Sequence, residues 1–383
     1  MQIITDNMIP ICCITYNRKG SLERLLKSLD SAFYDEPVTL IISIDKSNSD
    51  VIEEYADSFS WKHGEKRILK HKSNLGLRKH ILSCGELLNE YESIIILEDD
   101  ISVSPSFYVY ARQCVERYKE DYSCAGISLY NFPLNYHNQL PFVAMHSNSD
   151  VFKMYCAQSW GQVWMRRQWF DFKKWYDEHN EEFSEQPHLP ASICSWPKSS
   201  WLKYHTKYCI EKNKYFIYPY VSLSTNNGDA GTHAAARNTA YQAPLLYGVK
   251  DNFELNPTVV YDAFFENDNL SEYLGLRKNE VCVDLYGEKN NRENRRYWLT
   301  LKKEKKYKIV KSFGLDFKPM DANVITNNPG CQIFLYDTRE AAKNIFNKSS
   351  SIWNYHFPIN RKYIVIIFLC FVKGLLKKMI GIK

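Results

Sequence analysis

After Glu340 the 383-residue chain contains no acidic residue. Lys343, Lys348, Arg361, Lys362, Lys373, Lys377, Lys378 and Lys383 stand there unopposed, and setting those eight charges aside from the net +5 leaves residues 1–340 at −3. A slightly acidic body argues against a general nucleic-acid binder, whose positive charge would lie on the folded surface; no nucleic-acid partner is expected. CxxC pairs are missing too. Eleven cysteines, scattered singly apart from adjacent Cys12 and Cys13, build neither a disulfide framework nor a zinc site. They read as small buried hydrophobes in a reducing compartment. MQIITDNMIPICC has no charged leader region, long apolar stretch or cleavage site, so a cytoplasmic protein is expected. No G-x-G-x-x-G follows the first strand and no G-x-x-x-x-G-K-[ST] occurs, which removes most support for NAD-type or P-loop binding. A bilayer-spanning run is also absent: YIVIIFLCFV (363–372) has ten residues, where about 20 are needed.

What is present is alternation. IPICCITY (9–16), VTLIISID (38–45), KRILKHK (66–72), SIIIL (93–97) and SCAGISLY (123–130) read as strands. Between them, Leu22, Leu25, Leu26 and Leu29 form one helical stripe, and Ile52, Tyr55 and Phe59 mark a second helix. A third is expected over 76–91, with Leu77, Ile81 and Leu88 in phase, and Ser104-Pro105 reads as a helix start. Strand and helix alternating five times predict an α/β fold: a mostly parallel sheet with helices on both faces. From 131 to 245 the pattern is irregular and aromatic. Residues 250–340 include KNNRENRRYWLTLKKEKKYKIVK, with ten Lys and Arg against Glu293 and Glu304.

SIIILEDDISVSP raises the sharpest question. Four large apolar residues run straight into Glu98, Asp99 and Asp100, which repel one another and are costly to bury unpaired. Ligands of an open parallel sheet sit at the carboxyl ends of its strands, where this triplet falls. One or two carboxylates plus substrate phosphates commonly hold Mg²⁺ or Mn²⁺, and such an ion would supply the missing positive charge. Asp45 ends the second strand, Thr15, Asn17 and Arg18 follow the first, and Asn74, Gly76 and Arg78 follow the third. Each alone is ordinary turn chemistry; their convergence on one edge is the stronger signal.

With these residues in place, the chain resembles the GT-A glycosyltransferases that use nucleotide-diphosphate sugars. EDDISVSPSFYVYARQC with CAGISLYN is similar to the acidic motif region of N-acetylglucosaminyltransferase I and its bacterial relatives. SWGQVWMRRQW (159–169) and NNGDAGTH (226–233) resemble signatures of bacterial polysaccharide and lipopolysaccharide glycosyltransferases. The resemblance covers roughly residues 9–240. It implies a Rossmann-like GT-A fold, Asp100 on a Mn²⁺ or Mg²⁺ ion, and Glu98 and Asp99 near the ribose and sugar. It also implies Thr15, Arg18 and Asp45 on the nucleoside, and Asn74 to Arg78 beside the nucleotide. The implied donor is a UDP-sugar and the acceptor a surface glycan or lipid-linked glycan. Trp160 and Trp164 would offer apolar faces to acceptor sugar rings, although core packing is the commoner fate of a Trp.

One departure matters. Inverting relatives carry a catalytic carboxylate where WPKSSWLKYH (196–205) has Leu202 and Lys203. The attacking hydroxyl must still lose a proton, and Asp229 and His233 are the substitutes at hand, so the stereochemical outcome stays open. Two rival classes stay open as well. A nucleotidyltransferase would want a Gly-rich basic loop after the first strand, which CITYNRKGS does not make. A catalytically silent relative that binds nucleotide or membrane fits the Leu202 departure. The expected organisation is a nucleotide-sugar half (1–130), an acceptor half (131–245), an extension (246–345) and a basic tail (346–383). That tail is expected to hold the protein peripherally on an anionic membrane, on its inner face.

Overall fold

The structure, a computed structural model, describes residues 8–231, 236–292, 294–346, 352–357 and 361–379. The hydrophobic runs become the elements they suggest: β1 (Ile11–Thr15), α1 (Lys19–Asp30), β2 (Leu40–Ile44), α2 (Val51–Ser58), β3 (Lys66–Lys70), α3 (Leu77–Gly85) and β4 (Ser93–Glu98). Every residue of β1 and β2 is buried, as unbroken apolar strands require when both sheet faces are covered. α1 turns Leu22, Leu25, Leu26 and Leu29 inward with no exposure, each contributing about 1.5–3 kcal/mol. The helix expected over 76–91 ends at Gly85 and passes into a 3₁₀ turn over Glu86–Asn89.

Next come β5 (Ile101–Val103), α4 (Phe107–Tyr118) and β6 (Cys124–Ser128). The helix expected at Ser104-Pro105 starts later, at Phe107. Ser104 Oγ donates to the Leu246 carbonyl and accepts from the Ser106 N–H, so it serves a loop rather than a helix end. The aromatic segment supplies the hairpin β7 (Leu134–Asn135) and β8 (Leu140–Pro141), then β9 (Val151–Met154), β10 (Gln162–Met165), α5 (Arg166–Glu178), α6 (Ala191–Ser195), α7 (Trp201–Glu211), β11 (Tyr215–Pro219) and β12 (Ser224–Asn226). With β13 (Val260–Tyr261) these build a nine-stranded sheet, ordered β13-β9-β11-β6-β10-β4-β1-β2-β3. β1, β2, β3, β4, β6 and β11 run one way; β9, β10 and β13 run the other. The sheet is mostly parallel, but β6 does not follow β4 directly: β10 lies antiparallel between them.

Residues 246–269 remain with this body. Phe253 and Leu255 enter its core, and Tyr118 Oη donates to the Leu255 carbonyl at 2.6 Å. After α8 (Leu270–Tyr273) a second sheet forms from β14 (Val281–Asp284), β15 (Tyr297–Thr300), β16 (Tyr307–Phe313) and β17 (Ile333–Ala341), in the order β14-β15-β17-β16. Leu270, Val283, Leu299, Phe313 and Leu335 share its core with Met320 and Val324 of α9 (Met320–Ile325). Lys308 and Lys311 sit exposed on the edge strand β16, where charge discourages pairing with another chain. α10 (Ile352–His356) and α11 (Arg361–Met379) follow. Ile364, Ile367, Phe368 and Phe371 of α11 are each more than half exposed. Among the described residues, no helix is long and apolar enough to cross a membrane. The cysteines are all free thiols, nine of them buried.

Candidate active site

Strand register creates the site. β1 and β4 pair in parallel with Ile14 opposite Glu98, so Thr15 and the acid triplet leave the sheet side by side. The Asp45 N–H donates to the Thr15 carbonyl at 3.0 Å, bringing the end of β2 to the same edge. The chain then turns at Asp99-Asp100 into β5, which pairs antiparallel with β12 and sets Ile101 opposite Asn226. The Asn227 N–H donates to the Asp100 carbonyl at 2.7 Å. Two segments far apart in sequence, the acid triplet and the glycine-bearing loop 226–231, are thereby fastened together. The SWG segment joins them: Ser224 Oγ donates to the Trp160 carbonyl at 2.6 Å. Gly228, at φ +67°, closes the loop so tightly that a Cβ there would lie 1.9 Å from the Asn238 carbonyl oxygen.

Arg18 answers the triplet's charge in part. Its guanidinium pairs with Asp99 Oδ1 and, at 3.1 Å, with Asp100 Oδ2. Thr15 Oγ1 donates to Asp99 Oδ2 at 2.9 Å. The fourth aspartate oxygen, Asp100 Oδ1, is buried and has no hydrogen-bond partner among the described residues. Burial pushes Asp99 up against the pull of Arg18, while Arg18 is held above its ordinary value because its two aspartates outweigh its own burial. Burial, then Asp100 and Asp99, push Glu98 up to about 8. A neutral Glu98 leaves one guanidinium facing two aspartates. The orphaned oxygen and the surplus negative charge both suit a cation that takes one or two protein oxygens and completes its shell with phosphates and water. Among the described residues, no three His, Cys, Asp or Glu side chains form a metal cage of their own. The residues therefore fit Mn²⁺ or Mg²⁺ as a guest shared with a substrate, not as a closed structural ion.

The other expected residues divide. Asp229 reaches the site edge: Ser21 Oγ donates to its Oδ2 at 2.7 Å and Arg24 pairs with the same oxygen. His233 lies outside the described residues. Asp45 faces the protein, accepting backbone N–H groups from Lys46, Leu75 and Gly76 at 2.8–3.0 Å, and so fixes the turn before α3. Asn74 is exposed and donates to the Lys46 carbonyl. Arg78, expected beside the nucleotide, is taken up elsewhere. It donates to Tyr176 Oη (2.6 Å), the Asn180 carbonyl (2.9 Å) and the Lys198 carbonyl (3.0 Å), and stacks 4.2 Å from the Tyr204 ring centre.

Trp160 is partly exposed beside Tyr130 and Tyr241. Trp164 belongs to the core: it is 1 % exposed, stacked at 4.0 Å on Trp169, with its indole N–H on Gln162. No ring face is left for a sugar. Lys203, at the expected acid position, is a buried structural cation whose Nζ donates to the Phe183, Cys194 and Trp196 carbonyls. Ser21, Arg24 and Asn227 were not singled out from the sequence. Arg18, Ser21 and Arg24 recur at three-residue intervals, a polar stripe beside the leucine stripe that a helical reading of the first turn could have found.

A cavity of about 190 Å³ lies away from this edge, lined by Tyr155, Asp262, Asp268, Lys278 and Lys289. In it Lys289 pairs with Asp262 at 2.5 Å and Lys278 with Asp268 at 2.7 Å.

No family model matches the chain, and no curated protein matches it. Among solved structures it is similar to S. aureus TarS 1–349 in complex with UDP (12% identity, TM-score 0.36, 57% of this chain and 59% of that one). It is similar also to S. aureus TarS (12%, TM-score 0.34, 55% and 35%) and to GalNAc-T7 with UDP, GalNAc and Mn²⁺ (10%, TM-score 0.38, 57% and 43%). The matched region spans less than two thirds of each of those chains.

Proposed function

We propose that the protein is a metal-dependent glycosyltransferase. It moves a sugar from a nucleotide-diphosphate donor, a UDP-sugar, to a hydroxyl of a surface glycan or lipid-linked acceptor. The observation that carries this reading is the buried Asp100 Oδ1, without a hydrogen-bond partner among the described residues, beside Arg18 at the sheet edge where three strands end. A divalent ion held by Asp100, with Asp99 adjacent, supplies positive charge to the departing diphosphate when bound. Arg18 adds a planar donor suited to phosphate oxygens. Glu98, at the end of β4 beside these two aspartates, is placed toward the donor's sugar. Asp229, held in place by Ser21 and Arg24, takes the acceptor's proton as the new glycosidic bond forms and the bond to the phosphate oxygen breaks. The exposed part of Trp160 offers an apolar face to a sugar ring.

The basic tail and exposed α11 hold the enzyme on the inner membrane surface, where lipid-linked acceptors lie. The ion pair of Arg24 with Asp229, added to the Leu202 departure, favours the second reading, a silent nucleotide-binding relative. Turnover of UDP-sugars with an acceptor, with and without Mn²⁺, separates the classes: sugar transfer, pyrophosphate release, or neither. Asp100→Ala should abolish transfer and metal-dependent UDP binding with an unchanged melting temperature. An active Asp100→Ala enzyme would sink the assignment.

A further inference from the structure

We infer that Arg18 is an exchangeable internal cation: in the donor-free protein its guanidinium holds the seat a divalent ion takes when a nucleotide diphosphate enters, so that metal and nucleotide bind as one event. This rests on the metal-dependent reading above and adds to it an order of binding and the residue that enforces it.

Three observations carry it. The Arg18 guanidinium bridges carboxylates from successive residues, Asp99 and Asp100, the pair that would face the ion. It also lies outermost: the Arg18 side chain is 26% exposed, those of Asp99 and Asp100 only 4% and 14%. An ion coming from solvent therefore meets Arg18 before it meets either aspartate. Finally, Asp100 Oδ1 has no hydrogen-bond partner among the described residues, so the arginine fills the seat incompletely.

Departure without replacement would strand two nearly buried carboxylates, which is strongly unfavourable. Departure is therefore an exchange, not an opening. On one side Gly231 meets the guanidinium with bare backbone, so no side chain there wedges it in place; a Cβ at that position would come within 3.0 Å of Nη1. Once displaced, the guanidinium is free for the phosphates that accompany the ion, to which it can offer two parallel N–H donors. Metal alone gains the seat but leaves Arg18 without an anion; metal with a diphosphate satisfies both.

The test measures Mn²⁺ binding to the full chain, with and without UDP, by the loss of the free-ion electron paramagnetic resonance signal. Wild type should bind Mn²⁺ weakly alone and at least about tenfold more tightly with saturating UDP, within the usual range of coupling between sites. Arg18→Gln should bind Mn²⁺ alone at least about tenfold more tightly than wild type, and UDP should then improve it far less. Arg18→Lys keeps a charge that cannot bridge both aspartates, and should shift the same way by a smaller factor; it carries the comparison if melting curves show Arg18→Gln unfolded. Equal UDP-free Mn²⁺ affinity in wild type and a folded Arg18 variant, with Mn²⁺·UDP still bound, overturns the exchange alone. Absence of Mn²⁺ binding even with UDP overturns the metal-dependent reading and the exchange with it.

Discussion

Ser21 Oγ donates to Asp229 Oδ2 across 2.7 Å, joining the first turn of α1 to a loop 208 residues further along the chain. Arg24, one helical turn on, pairs with the same oxygen. Both contacts fall on one carboxylate oxygen, so among the described residues neither of them occupies the other, which would take the proton. Asp229→Asn keeps the shape and the Ser21 contact but removes the base. We expect kcat to fall by about 10²–10⁴-fold, the usual worth of a positioned base, with Mn²⁺·UDP affinity unchanged. A rate within a few fold of wild type would move the proton to another group.

How much of this arrangement was legible depended on what each residue answers to. β1, β2 and β4 announced themselves because apolar runs buried on both faces need no partner's identity to be recognised. The triplet's place at the end of β4 followed from that. The insertion of β10 did not: all four residues of Gln162–Met165 are buried, and neither their period nor their composition encodes an antiparallel direction. The pairing of β5 with β12 was equally silent, since three-residue strands carry too little pattern to register. Arg78 and Trp164 were misplaced for another reason. A turn arginine and a motif tryptophan look alike in sequence whether they meet a ligand or a neighbouring helix, and here the tertiary partners, Tyr204 and Trp169, decided.

The Arg78 clasp ties α3 to α5, to α7 and to the segment between them, through Tyr176 Oη, the Tyr204 ring, and the carbonyls of Asn180 and Lys198. Arg78→Ala leaves two backbone acceptors and a phenol without their donor. Charged hydrogen bonds of this kind net about 1.5–3 kcal/mol, so chemical denaturation should show a loss of about 2–4 kcal/mol once the stacked ring is included. Lysine is a compact point charge that cannot reach three directions at once, so Arg78→Lys should recover little. Unaltered stability with lost UDP binding would return Arg78 to the nucleotide site.

His205 gives a pH signature independent of catalysis. It is 1% exposed, stacked 4.1 Å from Phe172, and among the described residues neither ring nitrogen has a hydrogen-bond partner. Burial alone pulls it from 6.5 down to about 3. As pH falls from 6.5 toward 3, the unfolded chain takes up a proton that the folded one refuses, so stability drains on the acid side and this term vanishes above 6.5. At pH 5 the loss is about 2 kcal/mol. His205→Phe removes it, and its melting temperature should fall less than wild type's between pH 7 and pH 5. Parallel slopes would place the acid sensitivity elsewhere.

The tail makes the last prediction. Along Ile364–Phe368 every successive side chain is at least half exposed, so the apolar surface runs round the helix instead of forming a stripe. A groove on a protein partner would cover one side and leave the rest wet; a lipid phase covers all of it. Ending the chain at Phe357 removes this surface together with Arg361, Lys362, Lys373, Lys377, Lys378 and Lys383. Each basic residue near an anionic surface contributes about 1 kcal/mol, so sedimentation with phosphatidylglycerol-containing vesicles should fall by more than about 100-fold, while UDP binding persists. High salt should weaken the full chain's binding but not abolish it, because the apolar contribution is unscreened. Binding that survives the truncation, and is then lost in salt, would instead assign the membrane contact to the exposed lysines of β16 and the turn before it.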